Sequence, residues 1–126
     1  MEPIEIVHAF LHAAENRDYD TALGLVTDDI EYHNIPMPPV YGPQGVKDTL
    51  EMLLSMCQGF EVVVHREVAS GDTVMNERTD RFLHNGQWAD LPVAGVFVVR
   101  DGKIAIWHDY FDLDTIMKQL APSTTS

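Results

Sequence analysis

Residues 60 to 112 fall into four strand-like runs, "FEVVVHREVAS", "TVMNERTDRFLH", "QWADLPVAGVFVV" and "KIAIWHDYFD", joined only by "SGD", "NGQ" and "RDGK". Connections this short and this rich in Gly, Asn and Asp are hairpin turns, so consecutive runs must pair antiparallel as a meander. A half-apolar meander leaves one face to be covered, and only the remainder of the chain can cover it. That requirement fixes most of the architecture.

The cover comes from helices. Ile4, Val7, Phe10, Leu11 and Ala14 recur at helical spacing over residues 3 to 15, and "DYDTALGLV" starts a second short helix capped by Asp18 or Asp20. A short strand, "LVTDDIEYHNI", follows. The segment "GPQGVKDTLEMLLSMC" then has Pro43 as a helix-start signal and an apolar stripe of Val46, Leu50, Leu53, Leu54 and Cys57, with Gly59 expected to end it. A last helix is expected over Leu113 to Leu120, and residues 121 to 126 as a frayed polar tail. The expected fold is therefore α+β: one domain over residues 1–126, with a curved, mainly antiparallel sheet and helices packed on its concave face around a cavity.

Charge and composition narrow the function. Twenty acidic against eight basic residues give a net charge of -12, which repels phosphate backbones and anionic lipid, so neither nucleic acid nor membrane is expected as a partner. No apolar run approaches the roughly 18 residues of a membrane span, and the N-terminus has no basic region followed by an apolar stretch, so a cytoplasmic protein is expected. A single cysteine, Cys57, excludes an internal disulfide. His8 and His12 stand at i, i+4 without a third ligand at motif spacing, so no metal and no cofactor are expected. Met52 and Met56 read as pliable core or pocket lining.

Side-chain alternation then gathers polar groups. In "EYHNIPMPPVYG" the residues Tyr32 and Asn34 share one face of an extended chain, and the stiff prolines after them suit the rim of a pocket. In "TVMNERTDRF" the face of Val74, Asn76 and Phe82 also carries Arg78 and Asp80. In the last strand Asp109 lies between Trp107 and Phe111 as the only charge on its face. A carboxylate among aromatics is costly to bury unless paired, and Arg78 has donors enough to bridge Asp80 and Asp109. Spacing alone leaves open whether such a cluster does chemistry or only organises the core.

Taken in order, "EYHNIPMPPVYG", "ERTDRF", "LPVAGVF" and "WHDYFD" resemble the limonene-1,2-epoxide hydrolase family. That family is a branch of the cystatin-like α+β folds related to nuclear transport factor 2 and ketosteroid isomerase. The resemblance spans nearly the whole chain. It implies a cone-shaped pocket, Asp109 as base, Asp80 as acid, Arg78 as the bridging cation, and Tyr32 with Asn34 on the nucleophilic water. It also implies a homodimer, for which the outward face of "LPVAGVFVV" is a candidate surface. Phe82, Leu91, Val93, Trp107 and Phe111 make an apolar wall suited to a terpene-like or cycloalkene epoxide. The expected activity is one-step hydrolysis of such an epoxide to a vicinal diol. The alternatives are a ketosteroid-isomerase-like or polyketide-cyclase-like enzyme, or a non-catalytic small-molecule binding module on the same fold.

Overall fold

The turns between the long strands are two-residue connections with backbone angles that few side chains adopt. Asn85 and Gly86 have φ of 51° and 78°, and Asp101 and Gly102 have φ of 52° and 79°. Consecutive left-handed residues are what a type I′ hairpin turn demands, and they match the twist of the flanking strands. The computed structural model, which describes residues 1–120, accordingly folds this region as the expected meander. Its strands are β3 (Gly59–Ser70), β4 (Thr73–His84), β5 (Gln87–Arg100) and β6 (Lys103–Tyr110). Ahead of them lie α1 (Pro3–Glu15), α2 (Tyr19–Leu23), β1 (Val26–Asn34), β2 (Val40–Tyr41) and α3 (Gly42–Leu54), and α4 (Leu113–Leu120) follows. The expected frayed tail lies outside the described residues.

The sheet has six strands in the order β2-β1-β6-β5-β4-β3. Among the described residues only β1 and β6 pair in parallel. Register shifts between Val64 and Arg66 on β3, and between Val98 and Val99 on β5, bend the strands and help to curl the sheet. Helices α1 and α3 bury Phe10, Ile6, Val7 and Val46 against Ile30, Phe97, Ile104 and Trp107. Each such side chain contributes about 1.5–3 kcal/mol when fully buried. A smaller cluster, including Leu54, Phe82, Leu91 and Ile116, joins the end of α3 and α4 to β4 and β5.

Several local expectations are refined. Asp18, not Asp20, caps α2, accepting from the Thr21 N–H at 3.2 Å. The third helix stops at Leu54, so Cys57 lies beyond it, buried in the smaller cluster, and Gly59 opens β3 instead of ending the helix. The Met pair divides: Met52 is exposed on α3, whereas Met56 borders the cavity that Arg78 and Asp109 also line. The short strand β2 after the prolines, where Val40 pairs with Tyr32, has no signal in the alternation.

One position on β5 controls how closely three strands converge. Gly95 pairs with Asn76 of β4 on one side and Asp109 of β6 on the other. A Cβ there would lie 2.4 Å from Nη1 of Arg78 and 3.0 Å from both Oδ1 of Asn76 and Oδ1 of Asp109. The missing side chain is the space the guanidinium occupies. Gly95→Ala should therefore destabilise the fold by about 1–3 kcal/mol, the scale of overpacking a filled interior. Urea unfolding against the wild type measures it, the expected outcome being a lower midpoint with an unchanged slope.

Candidate active site

Strand register brings the polar residues together before any side chain is considered. On the parallel ladder Tyr32 lies beside Trp107 and Asn34 beside Asp109. On the antiparallel side Gly95 separates Asp109 from Asn76, two residues from Arg78 along β4. A long side chain on β4 can thus pass over Gly95 to reach β6. Arg78 does so: Nη2 donates to Oδ2 of Asp109 at 2.5 Å, while Nε and Nη2 donate to Oδ1 and Oδ2 of Asp80 at 2.9 and 3.3 Å. Its Nη1 donates to Oδ1 of Asn76 at 3.2 Å.

The guanidinium is only 1% exposed, and Asp80 and Asp109 are buried with it. Desolvation works against its charge, but the carboxylates of Asp109 and Asp80 outweigh that and hold Arg78 protonated more firmly than usual. Burial raises the Asp80 pKa above the ordinary carboxylate range; Arg78 opposes the shift and the Asp109 charge adds to it. Two acids sharing one cation do not both ionise readily in such a site, and burial together with the Asp109 charge shifts Asp80 toward its protonated form.

Asp109 has a further partner on its own strand. The Trp107 indole Nε1 donates to Oδ1 of Asp109 at 2.8 Å, so both carboxylate oxygens are held from the protein side. The indole is itself fixed by aromatic packing: Tyr32 stacks on it at 3.9 Å and 5°, Phe97 stacks at 5.9 Å, and Phe10 meets it edge-on at 5.0 Å. Burial lifts the Tyr32 phenol pKa well above its usual range, and the Asp109 charge adds to this while Asn34 and Arg78 oppose it. The phenol is therefore a neutral O–H throughout the physiological range.

The ten residues expected from the sequence to form the site all border one cavity of about 210 Å³. Tyr32, Asn34, Arg78, Asp80 and Asp109 form its polar end, and Phe82, Leu91, Val93, Trp107 and Phe111 are apolar lining. Sequence reasoning pointed to helices and to Met56 at the cavity but not to the particular side chains Leu53 and Leu54 of α3 and Ile116 and Leu120 of α4 that also line it. The spacing of Leu113, Ile116, Met117 and Leu120 carried that signal. It also treated Trp107 only as apolar wall, missing its hydrogen bond to Asp109, and it gave Asn76 no contact with Arg78. Among the described residues no group of three or more His, Cys, Asp or Glu is arranged to hold a metal ion. No helix among them is long and apolar enough to cross a membrane.

Two acids sharing one cation beside hydrogen-bonding groups at the polar end of an apolar cavity can take a proton from one molecule and give one to another. Comparison with known proteins is consistent with that chemistry. Epoxide hydrolase EphG of Mycobacterium tuberculosis is 38% identical over 114 residues, covering 90% of this chain and 76% of that protein. A solved M. tuberculosis LEH-like epoxide hydrolase superposes with a TM-score of 0.81 at 37% identity, over 94% of this chain and 88% of its own. A protein from Catenulispora acidiphila with a ketosteroid isomerase-like fold, 20% identical, shares the fold with a TM-score of 0.84 over 100% and 99% of the two chains. The model of the limonene-1,2-epoxide hydrolase catalytic domain matches residues 1–122, and the chain belongs to that family of epoxide hydrolases.

Proposed function

We propose that the chain converts a small apolar epoxide, terpene-like or cycloalkene, to a vicinal diol by one-step attack of water. The observation that carries this reading is Arg78 tying Asp80 to Asp109 at the polar end of an otherwise apolar cavity. Tyr32, Asn34 and Asp109 hold a water beside the bound epoxide. Asp109 takes a proton from it as its oxygen attacks a ring carbon, the ring C–O bond breaks, and Asp80 gives its proton to the departing oxygen. Arg78 stays charged throughout. The cycle closes when Asp109 releases the proton it gained and Asp80 takes one up from solvent.

Protonating the oxygen as the bond breaks is what makes the step feasible near neutral pH, since an unassisted alkoxide is a poor leaving group. An isomerase on this fold would leave a cation between two acids without a task. Direct attack also suits the surroundings of Asp109 better than a covalent ester. A nucleophilic carboxylate would need a separate base to hydrolyse its ester, whereas His108, the nearest imidazole in sequence, lies on the opposite face with Glu31 at 2.6 Å.

The outward face of β5, with exposed Pro92 and Ala94 and half-buried Val96 and Val98, continues into exposed Met75 and Tyr110. A second copy of the chain is the partner we assign to it, giving a homodimer. A buried free thiol at Cys57 suits a cytoplasmic location.

Diol formation from limonene oxide or cyclohexene oxide tests the reaction. Asp109→Asn and Asp80→Asn should each lower kcat at least ~10²-fold, the usual loss for a positioned base or acid. A variant that retains full turnover removes its residue from the scheme. The raised pKa of Asp80 sets the pH response. kcat/KM should fall as pH rises through it, because the acid is lost. The folded protein also binds that proton more tightly than the unfolded chain, whose aspartates titrate near about 3.9, so the carboxyl favours folding at low pH and the gain vanishes as pH rises through the folded value. Asp80→Asn should remove this component from stability measured by urea unfolding between acid and neutral pH. A single turnover in ¹⁸O-water with enzyme in excess should place label in the diol. An unlabelled diol with label in an aspartate would establish a covalent intermediate.

A further inference from the structure

Arg78 is anchored by more than its two aspartates. Nη1 donates to Oδ1 of Asn76, and Nδ2 of Asn76 donates in turn to Oε2 of Glu67 at 3.2 Å. The other oxygen of that carboxylate accepts from Nε2 of His8 on α1. Glu67 and Asn76 are directly opposed on β3 and β4. The row runs from His8, whose side chain is 55% exposed, through a Glu67 side chain at 10%, to the buried guanidinium. None of His8, Glu67 and Asn76 borders the cavity that holds the acids, so none reaches a molecule bound there.

The chemistry of an amide gives this row a purpose. Asn accepts at one end and donates at the other, and its shape alone does not say which end meets Arg78. If the NH₂ group faced the guanidinium, two donors would meet and Nη1 would be left unpaired in a buried site. Glu67 decides the matter, because an ionised carboxylate only accepts. It takes the Nδ2 end and leaves Oδ1 for Arg78, while His8 holds the carboxylate in place. The aspartates accept from Nε and Nη2 only. The contact at Nη1, over the space left by Gly95, holds the remaining end of the guanidinium.

We propose that Glu67 and Asn76 are positioning residues: together they lock the guanidinium so that Asp80 and Asp109 face the epoxide at a fixed separation. This rests on the hydrolase reading given above. Turnover of a cyclic epoxide by the wild type is measured first, since its absence overturns that reading while leaving the positioning row to the spectroscopic test below.

Glu67→Ala frees the amide without touching the cavity wall. It should lower kcat ~10- to 100-fold, the scale of a small misplacement of reacting groups. KM should stay within about twofold, as expected when an interaction of the transition state alone is lost. Asn76→Asp opposes two carboxylates and should lower kcat comparably. Adding Glu67→Gln to Asn76→Asp exchanges the two chemistries, so that the introduced amide donates to the introduced carboxylate. That double variant should recover at least about fivefold over Asn76→Asp alone, the signature of direct coupling.

A readout without substrate runs beside these. In protein labelled with ¹⁵N-arginine, the Arg78 Nη resonances, identified by their loss in Arg78→Lys, should be resolved in the wild type, merge in Glu67→Ala and separate again in the double variant. Full kcat in Glu67→Ala, even with a lowered melting temperature, overturns the proposal. So does a double variant no better than Asn76→Asp, or Nη resonances indifferent to Glu67. Where Glu67→Ala does not fold, Asn76→Asp and the double variant carry the test.

Discussion

A guanidinium with 1% of its surface exposed has to be neutralised and hydrogen-bonded where it lies, and much of the structure is arranged around that need. Removing such an ion from water costs several kcal/mol, recovered only by close partners on most of its donors. Three adjacent strands supply them. β4 contributes Arg78 itself with Asp80 and Asn76 two residues to either side, β6 contributes Asp109, and β5 contributes an absence of side chain at Gly95. The same arrangement that makes burial tolerable holds two carboxyl groups at the polar end of the cavity, with the proton affinity of Asp80 raised by burial.

The second determinant is the parallel pairing of β1 with β6. Hairpins generate antiparallel neighbours only, so this pair requires a long excursion of the chain, which here runs through the proline rim, α3 and the meander before returning. Its effect is to set Tyr32 and Asn34 beside Trp107 and Asp109 in one register. The stacking of Tyr32 on Trp107 then connects the two strands through the indole that donates to Asp109. The phenol, the indole and the carboxylate form one rigid unit.

What could be read in advance follows from what period and turn chemistry encode. Alternation along β4 and β6 is a local property, and it placed Arg78, Asp80 and Asp109 on inward faces from the sequence alone. The turns at Asn85 and Asp101 are equally local, which is why the strand bounds agree to within a residue or two. The same turns supplied the pairing of consecutive strands, whereas the parallel pairing of β1 with β6 has no signal in either periodicity or turn chemistry. Contacts that depend on register stayed hidden: Gly95 against Nη1 of Arg78, Glu67 against Asn76, and the end of α3 against the cavity. Gly59 misled because a glycine after a helix reads as its stop, while here the chain needs four intervening residues to turn into β3.

The cavity sets how much can be done with this machinery. At about 210 Å³ it is smaller than the roughly 300–1,000 Å³ typical of ligand pockets. Its size is governed partly by α4, whose Ile116 and Leu120 line it. That helix follows β6 at once: Asp112 accepts from the Asp114 N–H at 3.2 Å and the Thr115 hydroxyl at 2.9 Å. Its other end is tied to β5, where the Gln119 side chain exchanges two hydrogen bonds with the Asp90 backbone at 2.8 and 2.9 Å. Asp109 and the α4 wall of the cavity thus belong to one continuous segment, so the polar end of the cavity and this part of its apolar lining are held in place by the same stretch of chain.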